Sequence, residues 1–522
     1  MRSLEIALVA GAVLSGWAMQ SPGGPAPTAP MPCERLTSLR LAGGRVTLAQ
    51  TITPGGFTLP TAGRGGASFS DLPAFCRVAA TLTPSSDSDV RIEVWLPSFA
   101  SGSGGQAPGA NVWNGKFQGV GNGGFAGTIS YAAMADALRR GYATSSTDTG
   151  HSTAGAGFAL GHPEKLIDFG YRSIHEMTLA AKSIVDAYYS RPARVSYFNG
   201  CSTGGRQALQ EAQRFPSDYN GIIAGAAPHI GTRTLSGVVW VGQSALKDPA
   251  NAIPASKYPM IHKAVLDACD MLDGLTDGLI DDPTRCRFDP KVLQCRGADA
   301  PGCLTAAQVS TASKILPPNP RTGSEVFYGL EPGAELGWGG LTGGPEPNRD
   351  GVDQFKYIVY ENPNWDWRTF DARVDPARAE NAYGGIINAS DPNLRPFVYH
   401  GGKLLTYHGW ADATIPSRAS VAYYESVQDT MGGPSKTADW YRMFMVPGMG
   451  HCRGGEGPNT FDMVSALEQW VENGRAPERI VASHSRDGRV DRTRPLCPYP
   501  QVARYDGRGS IDDAASFTCR VP

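Results

Sequence analysis

Ser202 is the residue whose setting in this sequence most clearly indicates chemistry. It lies at the centre of Gly200-Cys-Ser-Thr-Gly204, which fits the pattern G-x-S-x-G. In hydrolases this pattern forms a sharp strand-to-helix turn that exposes the serine oxygen, and the small flanking residues let the backbone pass closely. Residues 194–198 favour a buried strand before the turn, and residues 207–213 favour a helix after it. The pattern predicts a nucleophilic serine; a glycine-rich turn that holds a serine by chance is the alternative.

An acid and a base follow two later strands. The stretch 403–412 has the pattern of a strand whose loop carries Asp412, and the strand 441–446 is followed by a loop that carries His451. The chain order serine, aspartate, histidine is that of α/β-hydrolases. In such a triad Ser202 attacks an ester carbonyl, the histidine takes its proton and returns it to the leaving alcohol, and the aspartate stabilises the charged imidazole. We therefore predict a catalytic triad of Ser202, Asp412 and His451.

His408 is an alternative base, but it lies close before Asp412 in the chain, and we expect it to shape the pocket instead. The remaining histidines belong to no such constellation, and we interpret them as structural or surface residues. They are His151, His162, His175, His229, His262, His400 and His484.

A glycine cluster after an early strand is the candidate for an oxyanion hole. Residues 115–127 have the pattern of a strand that runs into the turn at Gly123 and Gly124. Serine hydrolases take one backbone N–H from the residue after the nucleophile and another from a loop of this kind. The candidates are Thr203 and Gly124, and a turn without catalytic duty is the alternative.

The surrounding elements alternate between strand and helix. Strand patterns occupy residues 45–48, 75–82, 90–96, 142–146 and 223–228, and helical patterns occupy residues 132–140, 171–189 and 460–474. Alternation of this kind predicts a mainly parallel sheet. With the triad order it predicts an α/β-hydrolase fold, in which residues 479–483 form a final strand and the tail from Val490 is loop-like.

The pattern breaks in the middle of the chain. Residues 229–394 are irregular and rich in Pro, Gly and Trp, and we interpret them as a large lid inserted between core segments 33–228 and 395–522. Aromatic side chains of the lid are candidates to line a pocket for a flat ring, although ordinary packing is the stronger interpretation for any one of them. They are Phe327, Tyr328, Trp338, Phe355, Tyr357, Trp365 and Trp367.

Charge and composition exclude some partners. The 522 residues carry a formal net charge of -2, which gives no electrostatic reason to expect nucleic acid or an anionic membrane surface. No segment approaches the roughly 20 consecutive apolar residues of a membrane span. A chain of this length needs a main domain and at least one substantial subdomain.

Two features predict export. Residues 1–18 have the pattern of a signal peptide, in which Arg2 precedes an apolar run and small residues follow it, and residues 19–32 form a Pro/Gly-rich leader. An ordinary apolar N-terminal helix is the alternative. The ten cysteines are an even set, which in an exported chain predicts five disulfides whose pairing the sequence alone does not fix. We expect a secreted or periplasmic protein.

The lid carries a second motif with possible chemistry. Asp270, Asp273 and Asp277 are spaced by three and four residues and interleaved with glycines. Carboxylates at this spacing suit a hard, oxygen-seeking cation, with the carbonyl groups of Leu275 and Leu279 completing the shell. A solvated acidic loop is an equal alternative on the residues alone, because Asp-Gly is also common turn chemistry.

Three segments carry a family resemblance. They are Gly200-Cys-Ser-Thr-Gly-Gly205, His408-Gly-Trp-Ala-Asp412 and Gly448-Met-Gly-His-Cys452. Together they resemble the tannase/feruloyl esterase family of serine hydrolases, which includes the bacterial hydrolases of mono(2-hydroxyethyl) terephthalate. The resemblance extends from Cys33 to Cys519.

The resemblance implies further properties. It implies a structural calcium ion at Asp270, Asp273, Leu275, Asp277 and Leu279, which stabilises the lid and takes no part in bond breaking. It also implies a disulfide that staples the nucleophile loop to the base loop. The implied pairs are Cys201 with Cys452, Cys33 with Cys76, Cys269 with Cys286, Cys295 with Cys303, and Cys497 with Cys519.

The resemblance implies a small-molecule aromatic ester as substrate, with feruloyl or related hydroxycinnamoyl esters first and galloyl esters or terephthalate monoesters as alternatives. An arginine that faces the far end of the bound acid would favour a substrate with a second carboxylate there. Polar side chains at that place would favour a substrate with phenolic hydroxyl groups. Arg321, Arg349 and Arg368 lie in the lid. A catalytically inactive protein that binds aromatic ligands is the alternative of another class.

Overall fold

A computed structural model describes residues 30–60, 68–98, 112–125, 127–318 and 326–522 of the chain. The predicted signal peptide, most of the predicted leader and Arg321 lie outside the described residues. Within the described ranges, no helix is both long and apolar enough to cross a membrane.

The strands and helices have the following bounds. The strands are Arg40–Leu41 (β1), Gly44–Ile52 (β2), Phe75–Leu82 (β3), Val90–Pro97 (β4), Lys116–Val120 (β5), Ala143–Thr147 (β6), Val195–Cys201 (β7), Gly221–Gly225 (β8), Lys403–Gly409 (β9), Tyr441–Val446 (β10), Ile480–Arg486 (β11), Arg489–Leu496 (β12), Val502–Tyr505 (β13) and Phe517–Arg520 (β14). The α-helices are Tyr131–Arg139 (α1), Pro163–Ile167 (α2), Ser173–Tyr189 (α3), Thr203–Arg214 (α4), Gly231–Leu246 (α5), Tyr258–Cys269 (α6), Ala306–Ile315 (α7), Gly339–Thr342 (α8), Arg349–Asp353 (α9), Asp375–Ala379 (α10), Gly385–Ile387 (α11), Arg395–Tyr399 (α12), Ser417–Met431 (α13), Pro434–Thr437 (α14) and Met463–Asn473 (α15).

In the described ranges, ten strands form the central sheet, in the order β1-β2-β3-β4-β6-β5-β7-β8-β9-β10. Strands β5 to β10 pair in parallel, whereas β1 to β4 add antiparallel neighbours at one side. The register places Cys201 beside Gly225 and Gly225 beside Tyr407, so the carboxyl ends of β7, β8 and β9 are level. The loops that follow β7, β9 and β10 therefore emerge at one edge of the sheet, as the α/β-hydrolase fold requires.

Apolar side chains alternate between the two faces of the sheet. Ile222 and Leu404 belong to a core with side chains of α3, α4 and α13, whereas Ile223 and Leu405 pack with α1 and α15 on the opposite face. Successive residues of a strand point to opposite faces, so a strand that is apolar at every position is buried on both sides. This is why β8, with five buried residues, lies between two helical layers.

The lid is inserted between β8 and β9, and it is more regular than the sequence predicts. Its first element, α5, is a 16-residue helix that the sequence analysis missed. Glycine, threonine and valine are weak helix formers, so the local pattern is unfavourable. Close packing compensates for this weakness, since a Cβ atom at Gly237 would lie 2.6 Å from Phe327 and one at Gly242 would lie 2.5 Å from Pro347.

The aromatic residues of the lid serve mainly as its core. Trp338 and Phe327 pack in one apolar cluster of the lid, and Phe355, Trp365 and Trp367 pack in another. None of the seven aromatic residues considered from the sequence lines the cavity that contains Ser202. Ordinary packing is therefore the role that the structure gives these five side chains.

The prediction of a loop-like tail from Val490 is wrong. Strands β11 and β12 form an antiparallel hairpin, and β13 pairs with β14, in two small sheets outside the central one. Strand β11 overlaps the predicted strand 479–483, whereas β12 consists mostly of arginine and other polar residues and β13 and β14 are only four residues long, so these three lack the apolar alternation by which a strand is detected. The Cys497–Cys519 disulfide joins the end of β12 to β14.

Candidate active site

Ser202 occupies a strained turn between β7 and α4. Its backbone has φ 63° and ψ -126°, and its N–H donates a hydrogen bond to the carbonyl oxygen of Gly225 at 3.0 Å. A non-glycine residue with positive φ is costly and persists only where the surroundings enforce it. This is the geometry of a nucleophile elbow, at the position that the sequence predicts.

Glycines around the turn permit the close backbone contacts that enforce it. A Cβ atom at Gly200 would lie 2.4 Å from the carbonyl oxygen of Gly204, and one at Gly121 would lie 2.5 Å from the Cα atom of Gly204. A Cβ atom at Gly205 would lie 2.2 Å from the carbonyl oxygen of Gly225. Larger residues would push α4 away from the sheet, and Ser202 would move with it.

Asp412 and His451, the predicted acid and base, are hydrogen-bonded to each other. The Nδ1 atom of His451 lies 2.7 Å from Oδ2 of Asp412. The other carboxylate oxygen, Oδ1, accepts hydrogen bonds from the N–H groups of Thr414 at 2.7 Å and Ile415 at 2.9 Å. These contacts fix the carboxylate and hold Nδ1 of the imidazole toward it, so that Nε2 is the ring nitrogen not engaged by Asp412.

His408 is a second partner of Asp412 that the sequence analysis did not recognise. Its Nε2 atom lies 3.0 Å from Oδ2 of Asp412 and 3.1 Å from the carbonyl oxygen of Ile415. Both neighbours are acceptors, so Nε2 carries the hydrogen. His408 is fully buried and lines neither cavity described below. His408 therefore positions the carboxylate of Asp412. The expectation that it shapes the pocket is wrong.

Asp412 is held in its ionised form. Burial by itself would raise the pKa of this carboxyl group, but the hydrogen bonds from His408 and His451 outweigh burial and hold the pKa below its ordinary value. A carboxylate that stays charged can stabilise the imidazolium that forms when His451 accepts a proton.

The two candidates for the oxyanion hole lie together. The hydroxyl group of Thr203 donates to the carbonyl oxygen of Gly124 at 3.0 Å, and Gly124 has a positive φ of 55°. Thr203 is the first residue of α4, where backbone N–H groups lack intrahelical partners. Both residues line the same cavity as Ser202. The arrangement suits the stabilisation of a developing negative charge beside the serine.

The structure contains the five disulfides that the resemblance implies. Cys201 and Cys452, whose Cα atoms lie 6.0 Å apart, join the residue before Ser202 to the residue after His451. The other bridges are Cys33–Cys76, Cys269–Cys286, Cys295–Cys303 and Cys497–Cys519. The Cys201–Cys452 bridge thus links the nucleophile loop and the base loop covalently.

Two cavities meet at the loop that follows Asp412. The cavity that contains Ser202 has a volume of about 130 Å³, and the cavity that contains His451 has a volume of about 290 Å³. Ala413 and Thr414 line both. A Cβ atom at Gly337 would lie 2.4 Å from the side chain of Ala413, so the lid closes directly onto this loop.

The wall of the Ser202 cavity is mostly apolar. Its larger apolar side chains are Phe125, Phe169, Leu235, Val238, Leu341, Ile387 and Ile415. Asp350 is its one acidic residue and Arg206 its one basic residue among the described residues. Sequence reasoning found neither, because no motif distinguishes them and only the folded lid brings Asp350 beside Ser202.

The arginines of the lid do not serve this cavity. Arg349 and Arg368 are exposed, and their guanidinium groups lie beside Asp353 and Asp366. Arg206 lines the cavity, but its guanidinium donates to the carbonyl oxygens of Gly170, Ile387 and Phe169. Burial lowers the pKa of Arg206 to about 9. Within the described residues, the cavity thus offers no arginine that is free to pair with a carboxylate.

The acidic motif of the lid forms a compact loop. Asp270 accepts hydrogen bonds from the N–H groups of Asp277 and Gly278, and Asp277 also pairs with Arg494 at 2.5 Å. Burial raises the pKa of Asp273 to about 6, and the neighbouring carboxylates contribute to the rise. In the described part of the chain, no group of three His, Cys, Asp or Glu side chains is placed to hold a metal ion.

Fold and site together define an α/β-hydrolase with a large lid. Comparison with known proteins is consistent with this class: residues 76–520 match the family described as "Tannase and feruloyl esterase". An uncharacterized esterase of Xanthomonas campestris pv. campestris is 38% identical over 93% of this chain and 91% of its own. A probable feruloyl esterase B-1 of Aspergillus fumigatus is 35% identical over 90% and 92%.

A solved structure has the same architecture. The crystal structure of feruloyl esterase B from Aspergillus oryzae superimposes with a TM-score of 0.84, at 30% identity, over 94% of this chain and 99% of that one. The chain belongs to the tannase and feruloyl esterase family, and it is a carboxylic ester hydrolase.

Removal of the Cys201–Cys452 bridge should destabilise the protein and impair the site. In the chain-entropy model a closure across the 251 residues that separate these cysteines contributes about 5 kcal/mol. We expect Cys201→Ala/Cys452→Ala to lower the free energy of unfolding by up to that amount and to reduce kcat at least tenfold. Urea denaturation and ester hydrolysis measure the two effects.

The matched control for this prediction is Cys497→Ala/Cys519→Ala, which opens a bridge of 22-residue separation that joins neither the nucleophile loop nor the base loop. It should lower stability by about 3 kcal/mol, because the loop is shorter, and leave kcat intact. Equal losses of kcat in both double variants would show that the central bridge has no special effect on the site.

A histidine next to the site predicts a dependence of stability on pH. His262 of α6 lines the His451 cavity, and its ring nitrogens lie 2.8 Å from Glu335 and 3.2 Å from Glu456. Burial lowers the pKa of His262, but the two glutamates outweigh burial and raise it above the ordinary value. Charged His262 therefore links the lid to the loop that carries the base.

The linkage gives a definite sign. Because the pKa is raised in the folded protein, the stabilisation is complete below the ordinary histidine value of about 6.5 and disappears as the pH rises through the raised pKa. The difference in Tm between wild type and His262→Gln should be largest near pH 5.5 and should shrink toward pH 9. The exposed His400→Gln should show no such trend; a pH-independent difference for His262→Gln would contradict the prediction.

Proposed function

We propose that the protein is an exported serine esterase that hydrolyses esters of hydroxylated aromatic acids, with feruloyl and related hydroxycinnamoyl esters first. The arrangement of three residues and one disulfide supports the proposal. Ser202 lies in a strained elbow, His451 and Asp412 are hydrogen-bonded, and the Cys201–Cys452 bridge joins the loops of serine and histidine. The five disulfides support export.

The geometry supports an acyl-enzyme mechanism. Ser202 attacks the ester carbonyl while its proton passes to Nε2 of His451, since Nδ1 is occupied by Asp412. The oxygen of the tetrahedral intermediate accepts hydrogen bonds from the N–H groups of Thr203 and Gly124. The imidazolium then gives its proton to the leaving alcohol. Water attacks the acyl-enzyme while His451 takes its proton, and that proton passes to the Ser202 oxygen as the acid leaves.

The substrate class rests on the relatives and on the cavity. Two similar proteins bear the names probable feruloyl esterase B-1 and feruloyl esterase B. The cavity beside Ser202 has phenylalanine and aliphatic walls and an aspartate, which suits a ring that carries hydroxyl groups. Galloyl esters fit the same description. A terephthalate monoester is disfavoured, because no free arginine among the described residues faces its second carboxylate.

A structural calcium ion is part of the proposal. Asp270, Asp273 and Asp277 with the carbonyl groups of Leu275 and Leu279 would hold it, and the ion would supply positive charge that stabilises the lid. In the described structure the three carboxylates are not placed around one point, although those of Asp270 and Asp277 lie close enough to repel that of Asp273. Oδ1 of nearby Asp281 is buried without a hydrogen-bond partner among the described residues, which supports a cation at this loop. A cation relieves the repulsion that such a cluster otherwise carries.

Replacement of the serine tests the mechanism. Ser202→Ala should lower kcat toward methyl ferulate by about 10⁴-fold or more, because the nucleophile is lost while binding remains. A serine-directed phosphonate should label wild type at Ser202 and leave the variant unlabelled. The exposed Ser217→Ala is the control and should keep full activity. Labelling elsewhere together with undiminished hydrolysis by Ser202→Ala would exclude the serine mechanism, and complete inertness of wild type would favour the binding protein.

Metal analysis tests the calcium ion. After dialysis against a weak chelator, wild type should retain one calcium per chain, and Asp273→Ala should retain none and should melt at a lower temperature. The control Asp267→Ala removes an exposed carboxylate of α6 that pairs with Lys263 outside the loop, and it should keep the ion. Equal metal content in all three proteins would refute the site.

A further inference from the structure

We infer that Asp350 determines specificity for the acid half of the ester by accepting a hydrogen bond from a ring hydroxyl group of the substrate. The inference rests on the proposed function and goes one step further, since it assigns the selection of hydroxylated rings to one side chain. Asp350 lies in the lid on α9 and lines the cavity that contains Ser202 and Thr203.

Asp350 lies close to Gly124 in the wall of the cavity that contains Ser202. Its Oδ2 atom lies 3.3 Å from the place that a Cβ atom at Gly124 would occupy, next to the candidate oxyanion hole. Asn348 caps α9 through a hydrogen bond from the N–H of Asp350 at 3.0 Å. Gly351 lets α9 pack closely on α5, since a Cβ atom there would lie 2.9 Å from Val239. These contacts fix the backbone of Asp350, from which its carboxyl group projects at the cavity wall.

The carboxylate of Asp350 is available to a ligand. Among the described residues, no hydrogen bond or ion pair engages either of its oxygens. The guanidinium of its neighbour Arg349 lies beside Asp353 and donates to the carbonyl oxygen of Ala154. Asp353 in turn accepts the N–H of Ala156 at 3.2 Å. Of these two acids on α9, only Asp350 is left without a partner.

An apolar cavity strengthens the case for a hydroxyl donor. Burial, followed by repulsion from Asp353, raises the pKa of Asp350, while Arg349 acts in the opposite direction. Asp350 is partly buried. A carboxyl group that is withdrawn from water and has no donor is costly, so a ligand hydroxyl that hydrogen-bonds to it gains more than it would in water. Thr234 and Asn348 are further polar residues of the wall, but neither carries charge.

The path of the proton to the leaving alcohol indicates that the acyl half of the ester occupies the cavity that Asp350 lines. His451 returns its proton to the leaving alcohol, so the alcohol must lie toward His451, which lines the larger cavity of about 290 Å³. The acyl group stays on Ser202 after the alcohol has left. It therefore occupies the smaller cavity, where Asp350 faces it.

The same carboxylate acts against a second negative charge. The far carboxylate of a terephthalate monoester would enter a cavity in which Asp350 is the one acidic side chain among the described residues, and like charges in an apolar site repel. Asp350 therefore has opposite effects on two classes of aromatic ester. A residue that only supported the fold would affect both classes alike.

The experiment compares kcat/KM within a series of methyl esters, so that the alcohol is constant. The esters are methyl cinnamate, methyl 4-coumarate, methyl caffeate and methyl ferulate, assayed with wild type, Asp350→Ala and Asp350→Asn. We expect wild type to prefer at least one hydroxylated ester over methyl cinnamate, and Asp350→Ala to reduce that preference by roughly 10- to 100-fold, the effect of losing a hydrogen bond to a charged group. Asp350→Asn should raise kcat/KM for mono(2-hydroxyethyl) terephthalate.

Asp353→Asn is the matched control, because it removes a carboxylate from the same helix outside the cavity. It should leave the preference for hydroxylated esters unchanged. Equal losses on all methyl esters in Asp350→Ala, or a preference that survives the substitution, would overturn the inference. A further comparison uses glyceryl cinnamate and methyl cinnamate, which differ only in the alcohol. If Asp350→Ala changed only the ratio of kcat/KM between these two esters, the hydroxyl group bound by Asp350 would belong to the alcohol, and the inference would be overturned.

These outcomes are separable from failure of the proposed function. If wild type and Ser202→Ala hydrolyse the esters equally, the serine mechanism fails and the assignment of Asp350 fails with it. If only the wild type is active and shows no preference among the methyl esters, the esterase proposal stands and the role of Asp350 is refuted.

Discussion

The Cys201–Cys452 bridge imposes the constraint on which the site depends. It joins the ends of β7 and β10, which β8 and β9 separate in the sheet. Neighbouring strands are about 4.8 Å apart, so the two ends are about 14 Å apart by strand spacing, whereas the two Cα atoms are 6.0 Å apart. The loop after β10 must therefore bend back across the ends of β9 and β8. A Cβ atom at Gly409 would lie 2.2 Å from the carbonyl oxygen of Met449, which explains why the crossing needs glycine.

The lid is attached to the nucleophile helix by an equally specific contact. Arg206 projects from α4, and its guanidinium reaches carbonyl oxygens before α3 and at the end of α11, with the ring of Phe169 5.2 Å away. A buried cation without a carboxylate is costly unless its donors find acceptors, and here three carbonyl groups accept hydrogen bonds from three of its five N–H donors. The side chain of Arg206 thus connects α4, the helix that follows Ser202, with the segment before α3 and with α11 of the lid.

The sequence was informative where local chemistry repeats and uninformative where tertiary contacts decide. The bounds of β3 and β10 match the prediction, because each is a short apolar run between clear breaks. Helix α5 was missed, since its glycines favour packing and not local helix formation. The contact of His408 with Asp412 was missed because spacing along β9 does not reveal which side chains turn to the same carboxylate. Asp350 had no signal at all, since its importance arises only from the folding of the lid over Ser202.

Asp412 and Asp350 are carboxylates of the same site whose surroundings shift their pKa values in opposite directions. Asp412 accepts hydrogen bonds from two backbone N–H groups and two histidines, and its pKa is lowered despite complete burial. Asp350 receives no such donor among the described residues, and its pKa is raised. The protein thus satisfies the first carboxylate completely, which fixes its charge and its geometry for the base. It leaves the second unsatisfied at the wall of an apolar cavity, where a hydroxylated ring can supply the missing donor.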